Sequence, residues 1–169
     1  MTKKRLISLA AVVALVALAL TGASAVAGGD DQFSARLGGF QEIPSISTSG
    51  HGTFSATVED DSLHFTLSYW GLSGPAAQAH IHLGRLATAG GVSAFLCGGT
   101  GEACPSGASG TVTVTGVITA EDVIGPEDQG IDAEEFDELL GAMDANATYV
   151  NVHTGLYPTG EIRGQVRHS

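Results

Sequence analysis

Two stretches, AAQAHIHL (76–83) and YVNVHTGLYPTGEIRGQV (149–166), decide how this chain folds. Both alternate apolar with polar residues, and in a β-strand side chains at i and i+2 share a face. In the first stretch His80 and His82 therefore point one way, while Ala79, Ile81 and Leu83 point the other. In the second, Val150, Val152, Ile162 and Val166 fall on the core side. Asn151, His153, Glu161, Arg163 and Gln165 fall opposite, on what the count predicts to be a solvent-side surface. A sheet that joins the two stretches collects imidazoles, a carboxylate and a guanidinium on one face.

The rest of the chain reads the same way. Phe33–Leu37, Gly52–Val58, Ser62–Trp70, Gln78–Leu83, Val92–Leu96, Thr111–Ile118, Thr148–Thr154 and Glu161–Arg167 read as strands. Alternation is clearest at 62–70, where Leu63, Phe65, Leu67 and Tyr69 share a face. Asp60-Asp61 supplies a hairpin-like turn before it. Short strands punctuated by Gly and Ser indicate an all-β sandwich or barrel of about eight strands. One acidic helical insertion interrupts it: Phe136, Leu139, Leu140 and Met143 recur at helical spacing, and Asp132 with Glu135 reads as a capping box. A shorter turn is predicted from Thr119. The whole segment 119–145 carries ten carboxylates and is expected to cover one end of the sandwich.

Residues 1–27 have the layout of a secretory signal peptide. Lys3, Lys4 and Arg5 precede the apolar run Leu6–Leu20, and small residues around Ala25 and Ala27 follow. The apolar run falls short of the ~20 residues of a membrane span. The predicted mature unit is a single domain, 28–169, with no stable membrane insertion after cleavage. It retains all 18 acidic residues but only Arg36, Arg85, Arg163 and Arg167 as cations, a formal charge of 4 − 18 = −14. Such a field repels nucleic acid and anionic lipid. In an oxidising compartment Cys97 and Cys104, the only cysteines, are expected to pair across the loop CGGTGEAC.

The segments AHIHLG (79–84), the Cys-Gly … Cys-Pro loop, and YVNVHT…YPTGEIRGQ (149–165) resemble the CHRD domain, named for the extracellular antagonist chordin. The resemblance runs from about Gln32 to Arg167. It implies an immunoglobulin-like, Greek-key type of β-sandwich with limited similarity to the copper/zinc superoxide dismutase fold, and a secreted protein. It implies no particular activity.

Two functional readings remain open on the residues. In one, the chain is a non-enzymatic extracellular module that binds a protein or surface polymer. In the other, His80, His82 and His153 hold copper or zinc, since an H-x-H pair on a strand presents two imidazoles to one ion. Asn151, Glu161 and Arg163 then form the surrounding shell, or, without metal, a polar network in which Arg163 pairs with Glu161. His51, His64 and His168 read as solvated. No catalytic set is legible: there is no G-x-S-x-G elbow and no H-E-x-x-H. The loop histidines of a dismutase and the spacing of an EF-hand are also missing.

Overall fold

The computed structural model describes residues 31–106 and 109–169, so the signal-peptide reading of residues 1–27 lies outside the described residues. Nine strands form: β1 (Gln32–Gly38), β2 (His51–Glu59), β3 (Ser62–Trp70), β4 (Ala76–Leu83), β5 (Val92–Cys97), β6 (Val112–Ile118), β7 (Thr148–Thr154), β8 (Ile162–Gln165) and the two-residue β9 (Arg167–His168). All pairings are antiparallel, in the order β5-β4-β7-β8-β1-β2-β3-β6, with β9 also on β1. This is the expected β architecture, as one nearly closed, barrel-like sheet. Between β5 and β6 the barrel stays open, and an isolated bridge joins Ala94 to Val123, beyond the end of β6.

The alternation builds the interior. Phe33, Ala35 and Leu37 of β1 meet Phe54 and Ala56 of β2, and β3 contributes Leu63, Phe65, Leu67 and Tyr69. Ala79, Ile81, Val150, Val152, Ile162 and Val166 close the other half, as the parity count predicts. At about 25 cal/mol per Å² of apolar surface, this continuous cluster is the main source of stability. The β2–β3 hairpin turns at Asp60, held in the left-handed region at φ 52°, which a short polar side chain tolerates.

The helical insertion forms with a later start than its sequence suggests. α1 spans Phe136–Asp144, because Glu134 sits at φ 68° and breaks the helical path before it. Half of the expected capping box survives: the Asp132 N–H donates to Glu135 Oε2 at 2.9 Å. Phe136, Leu139 and Met143 are buried in the main core, and Leu140 packs against it half-buried. The shorter turn is a 3₁₀ segment, Ala120–Asp122, where Asp122 Oδ2 accepts from the Thr119 N–H at 2.9 Å. Cys97 and Cys104 are disulfide-bonded, with Cα atoms 5.0 Å apart. Among the described residues no helix is long and apolar enough to cross a membrane.

Candidate metal centre

The register of β4 on β7 brings the histidines together. His80 pairs with Asn151, His82 with Tyr149 and Gln78 with His153, so His153 sits diagonally across from His80. Diagonal neighbours on one face lie within side-chain reach. Ring centroids are 4.8 Å apart for His80–His153, 5.2 Å for His80–His82 and 6.3 Å for His82–His153. One nitrogen from each ring can be chosen so that all three lie within 4.8 Å of one another.

This face is not the solvent-side surface that parity suggests. His80, His82, Asn151, Arg163 and Gln165 are buried, and His153 is half-buried. Three loops are folded over the outer face of β4, β7 and β8. Loop 84–91 is tied down by His82 Nδ1 to Gly90 O at 3.0 Å and by Gln165 Nε2 to Gly84 O at 3.0 Å. Loop 39–46 is tied by Asn151 Nδ2 to Glu42 Oε1 at 2.8 Å. The turn 155–160 is tied by His153 Nδ1 to Pro158 O at 3.0 Å. The outer faces of β1 and β2, by contrast, carry exposed residues at alternate positions.

The hydrogen bonds fix each imidazole's tautomer. A carbonyl oxygen can only accept, so Nδ1 carries the proton in His82 and His153. In His80, Nε2 donates to Gln78 Oε1 at 2.9 Å. The nitrogens left with lone pairs are His80 Nδ1, His82 Nε2 and His153 Nε2. All three are buried without a hydrogen-bond partner. Metal-bound histidines are oriented in this way, with the non-ligating N–H held by an oxygen.

The electrostatics keep the rings neutral. Burial pushes the His80 pKa down to about 3, with the neighbouring His153 and His82 adding to the effect. Burial lowers His82 to about 4 against the opposing pull of the Gly90 carbonyl. His153 is lowered by burial too, opposed by the Pro158 carbonyl. A tetrahedral ion with bonds of ~2.0–2.1 Å needs nitrogens roughly 3.3–3.4 Å apart, so the rings would draw together on binding one.

Glu161 does not belong to this cluster, contrary to its parity. β8 starts only at Ile162, and Gly160 before Glu161 bends the backbone at φ 127°. Its carboxylate turns to the end of the barrel beside Gly50. Oε1 accepts from Thr48 Oγ1 at 2.6 Å, Ser73 N at 2.8 Å and Ser73 Oγ at 2.9 Å, and Oε2 accepts from Thr154 Oγ1 at 2.8 Å. Burial alone would raise its pKa, but these bonds outweigh it and hold the carboxyl below its ordinary value.

Arg163 likewise does not pair with Glu161. It donates to Arg85 O at 3.1 Å and lies 3.5 Å over the Tyr149 ring. Tyr149 in turn stacks on His82 at 4.7 Å, nearly parallel, while Phe95 meets His80 edge-on at 4.7 Å. Asn151 is bonded to Glu42, whose burial raises its carboxyl to about 7. Gln78, Tyr149, Phe95 and Glu42 are parts of this site that the sequence reading missed. Gln78 and Tyr149 share the parity of their histidine-bearing strands and were legible from it. Glu42 lies in a loop with no periodicity to reveal it.

No curated protein and no solved structure gives a significant match to the chain. The sequence profile of the CHRD domain does match, over residues 33–166. That span takes in all of β2 through β8, the disulfide loop and the three clustered histidines, and the chain belongs to the CHRD domain family.

Proposed function

We propose that this chain is an exported, non-enzymatic CHRD binding module, and that the species it binds is a zinc or copper ion held by His80, His82 and His153. The observation that supports this reading is a trio of lone-pair nitrogens, each buried and unpartnered and each fixed in tautomer from the far side of its ring. An unsatisfied buried polar atom costs about 1–3 kcal/mol. A transition-metal ion can satisfy three such acceptors at once, and imidazole is a ligand suited to zinc and copper.

A binding role rather than catalysis is the reading that the surrounding carboxylates favour. The two buried carboxylates, Glu42 and Glu161, are engaged by Asn151 and by the Thr48/Ser73/Thr154 set, so neither serves as a base beside the metal. Export, with removal of residues 1–27, agrees with the disulfide and with the extracellular setting of the family.

The test is metal content and calorimetry on residues 28–169 purified without chelator or affinity tag. One equivalent of zinc or copper is expected, and His80→Ala and His153→Ala should each weaken binding at least about tenfold. Absence of binding to folded protein would refute the ion and leave a polar network behind.

A further inference from the structure

Two of the three exposed cations among the described residues share one hollow. Among the described residues Arg36, Arg85 and Arg167 are exposed and Arg163 is buried, and no lysine occurs after Lys4. Arg36 on β1 and Arg167 on β9 line one shallow hollow of about 720 Å³, floored by Ser34, Thr53 and Gln165 and walled by Leu86. Leu86 and Gln41 also line an adjoining hollow of about 380 Å³, formed with Phe40, Ile43 and Pro44. The two hollows thus form one groove, and Arg85 precedes its shared wall in the chain.

Two properties set this groove apart. Phe40 at 78% exposure, Leu86 at 60% and Ile43 at 44% are half of the large apolar residues that the described surface exposes, and all three line it. Among the described residues its only lining carboxylate is Glu42, which is buried and turned onto Asn151. In a chain with 18 acidic residues, this is a cationic, apolar-edged strip on an otherwise anionic protein.

We propose that this groove docks an extended acidic segment of another polypeptide, its carboxylates on Arg36 and Arg167 and an apolar side chain against Leu86, Phe40 and Ile43. Guanidinium forks suit carboxylates, and an apolar anchor beside them supplies the desolvated centre that interfaces need. The anionic remainder of the surface repels the same segment and so confines it to the strip. An acidic polysaccharide would satisfy the arginines but has no large apolar side chain for the other half of the groove. The inference is independent of the metal reading, because neither hollow is lined by His80, His82 or His153.

The experiment is fluorescence anisotropy with a short labelled peptide alternating Glu and Leu, titrated with the disulfide-bonded protein at low salt and at about 0.5 M salt. Saturable binding is expected, weakened severalfold by the salt. Arg36→Glu combined with Arg167→Glu should weaken it at least about tenfold, and Leu86→Ala should weaken it while leaving the salt dependence intact. An unchanged melting temperature certifies the fold of each variant. No saturable binding, or binding indifferent to the paired charge reversal, overturns the proposal. So does tighter binding of an all-Glu peptide or of polygalacturonate at the same residues, which would assign the strip to a polyanion without an apolar anchor.

Discussion

Replacing Glu161 tests whether its stabilising hydrogen bonds are separable from the metal binding proposed for the histidines. The carboxylate has no exposed surface and takes four hydrogen bonds, from Thr48 Oγ1, Ser73 N, Ser73 Oγ and Thr154 Oγ1. Glu161→Ala removes the acceptor for all four at once. The three hydroxyls can turn toward other partners or water, but the Ser73 N–H cannot. With about 1–3 kcal/mol for each buried donor left unmet, and partial recovery by the hydroxyls, a loss of roughly 3–5 kcal/mol is expected. Glu161→Gln should cost only about 1–2 kcal/mol. Its amide oxygen can keep the three bonds that converge on Oε1, while its NH₂ faces Thr154 Oγ1, a hydroxyl able to reverse and accept. The carboxyl is held below its ordinary value, so its contribution is present above the unfolded pKa near 4.5 and lost as pH falls through the lower native value. Glu161→Gln should remove that acid-limb dependence. The assay is urea unfolding at several pH values, with metal affinity measured alongside and expected to stay at wild-type strength. A Gln variant as damaged as the Ala variant would refute the bond-by-bond reasoning, and a loss of metal affinity in either folded variant would refute the separation of Glu161 from the histidines.

Metal affinity should hold to about pH 5 and fail only as pH approaches 4, since protons compete effectively only near the depressed values of His80 and His82; calorimetry showing a collapse near pH 6.5 would contradict the burial of the rings. Without metal those same rings are neutral when folded and protonated when unfolded between about pH 6.5 and 4, so each withdraws roughly 2 kcal/mol of stability as pH falls from 7 to 5. Glu42, raised to about 7, works in the opposite sense over that window, and Glu42→Gln should steepen the acid loss measured by denaturation. Serine at both Cys97 and Cys104 should lower stability by about 2–3 kcal/mol without unfolding the domain, read from denaturant midpoints. Phe136→Ala should cost about 3–5 kcal/mol, whereas a change of a few tenths would mean that α1 does not join the core.

The strands were legible because one face of each is buried against a common interior, and burial imprints a period of two on the sequence. Leu63 to Tyr69 shows this best, with all four inward residues buried. The same period aligned His80 with His82 and put Asn151, His153 and Arg163 on one face. What it could not show is that this face is roofed. Loops 39–46, 84–91 and 155–160 cover it through bonds such as Asn151–Glu42 and His153–Pro158, and irregular backbone has no periodicity to advertise its position. Glu161 was misassigned because parity holds only inside a strand and β8 begins one residue later. The helix start was misread because Glu134 adopts a left-handed conformation that its side chain does not signal.

The open seam of the barrel has a consequence for how copies of the chain behave in concentrated solution. β6, VTVTGVI, bonds to β3 along one edge and lacks any charged or proline residue, the composition of a segment prone to add strands. The facing edge of β5 is partly capped, because Ile124 N–H donates to Ser93 O and Val123 bridges Ala94. Along β6 the hollow toward Phe95 and Cys97 is bounded, among the described residues, only by Glu102 and Asp122 as charges. Colloidal repulsion between strongly anionic copies is therefore expected to keep β6 from meeting its counterpart on a neighbour. As the carboxylates are protonated that repulsion fades, and the chain should precipitate through this edge into cross-β aggregates.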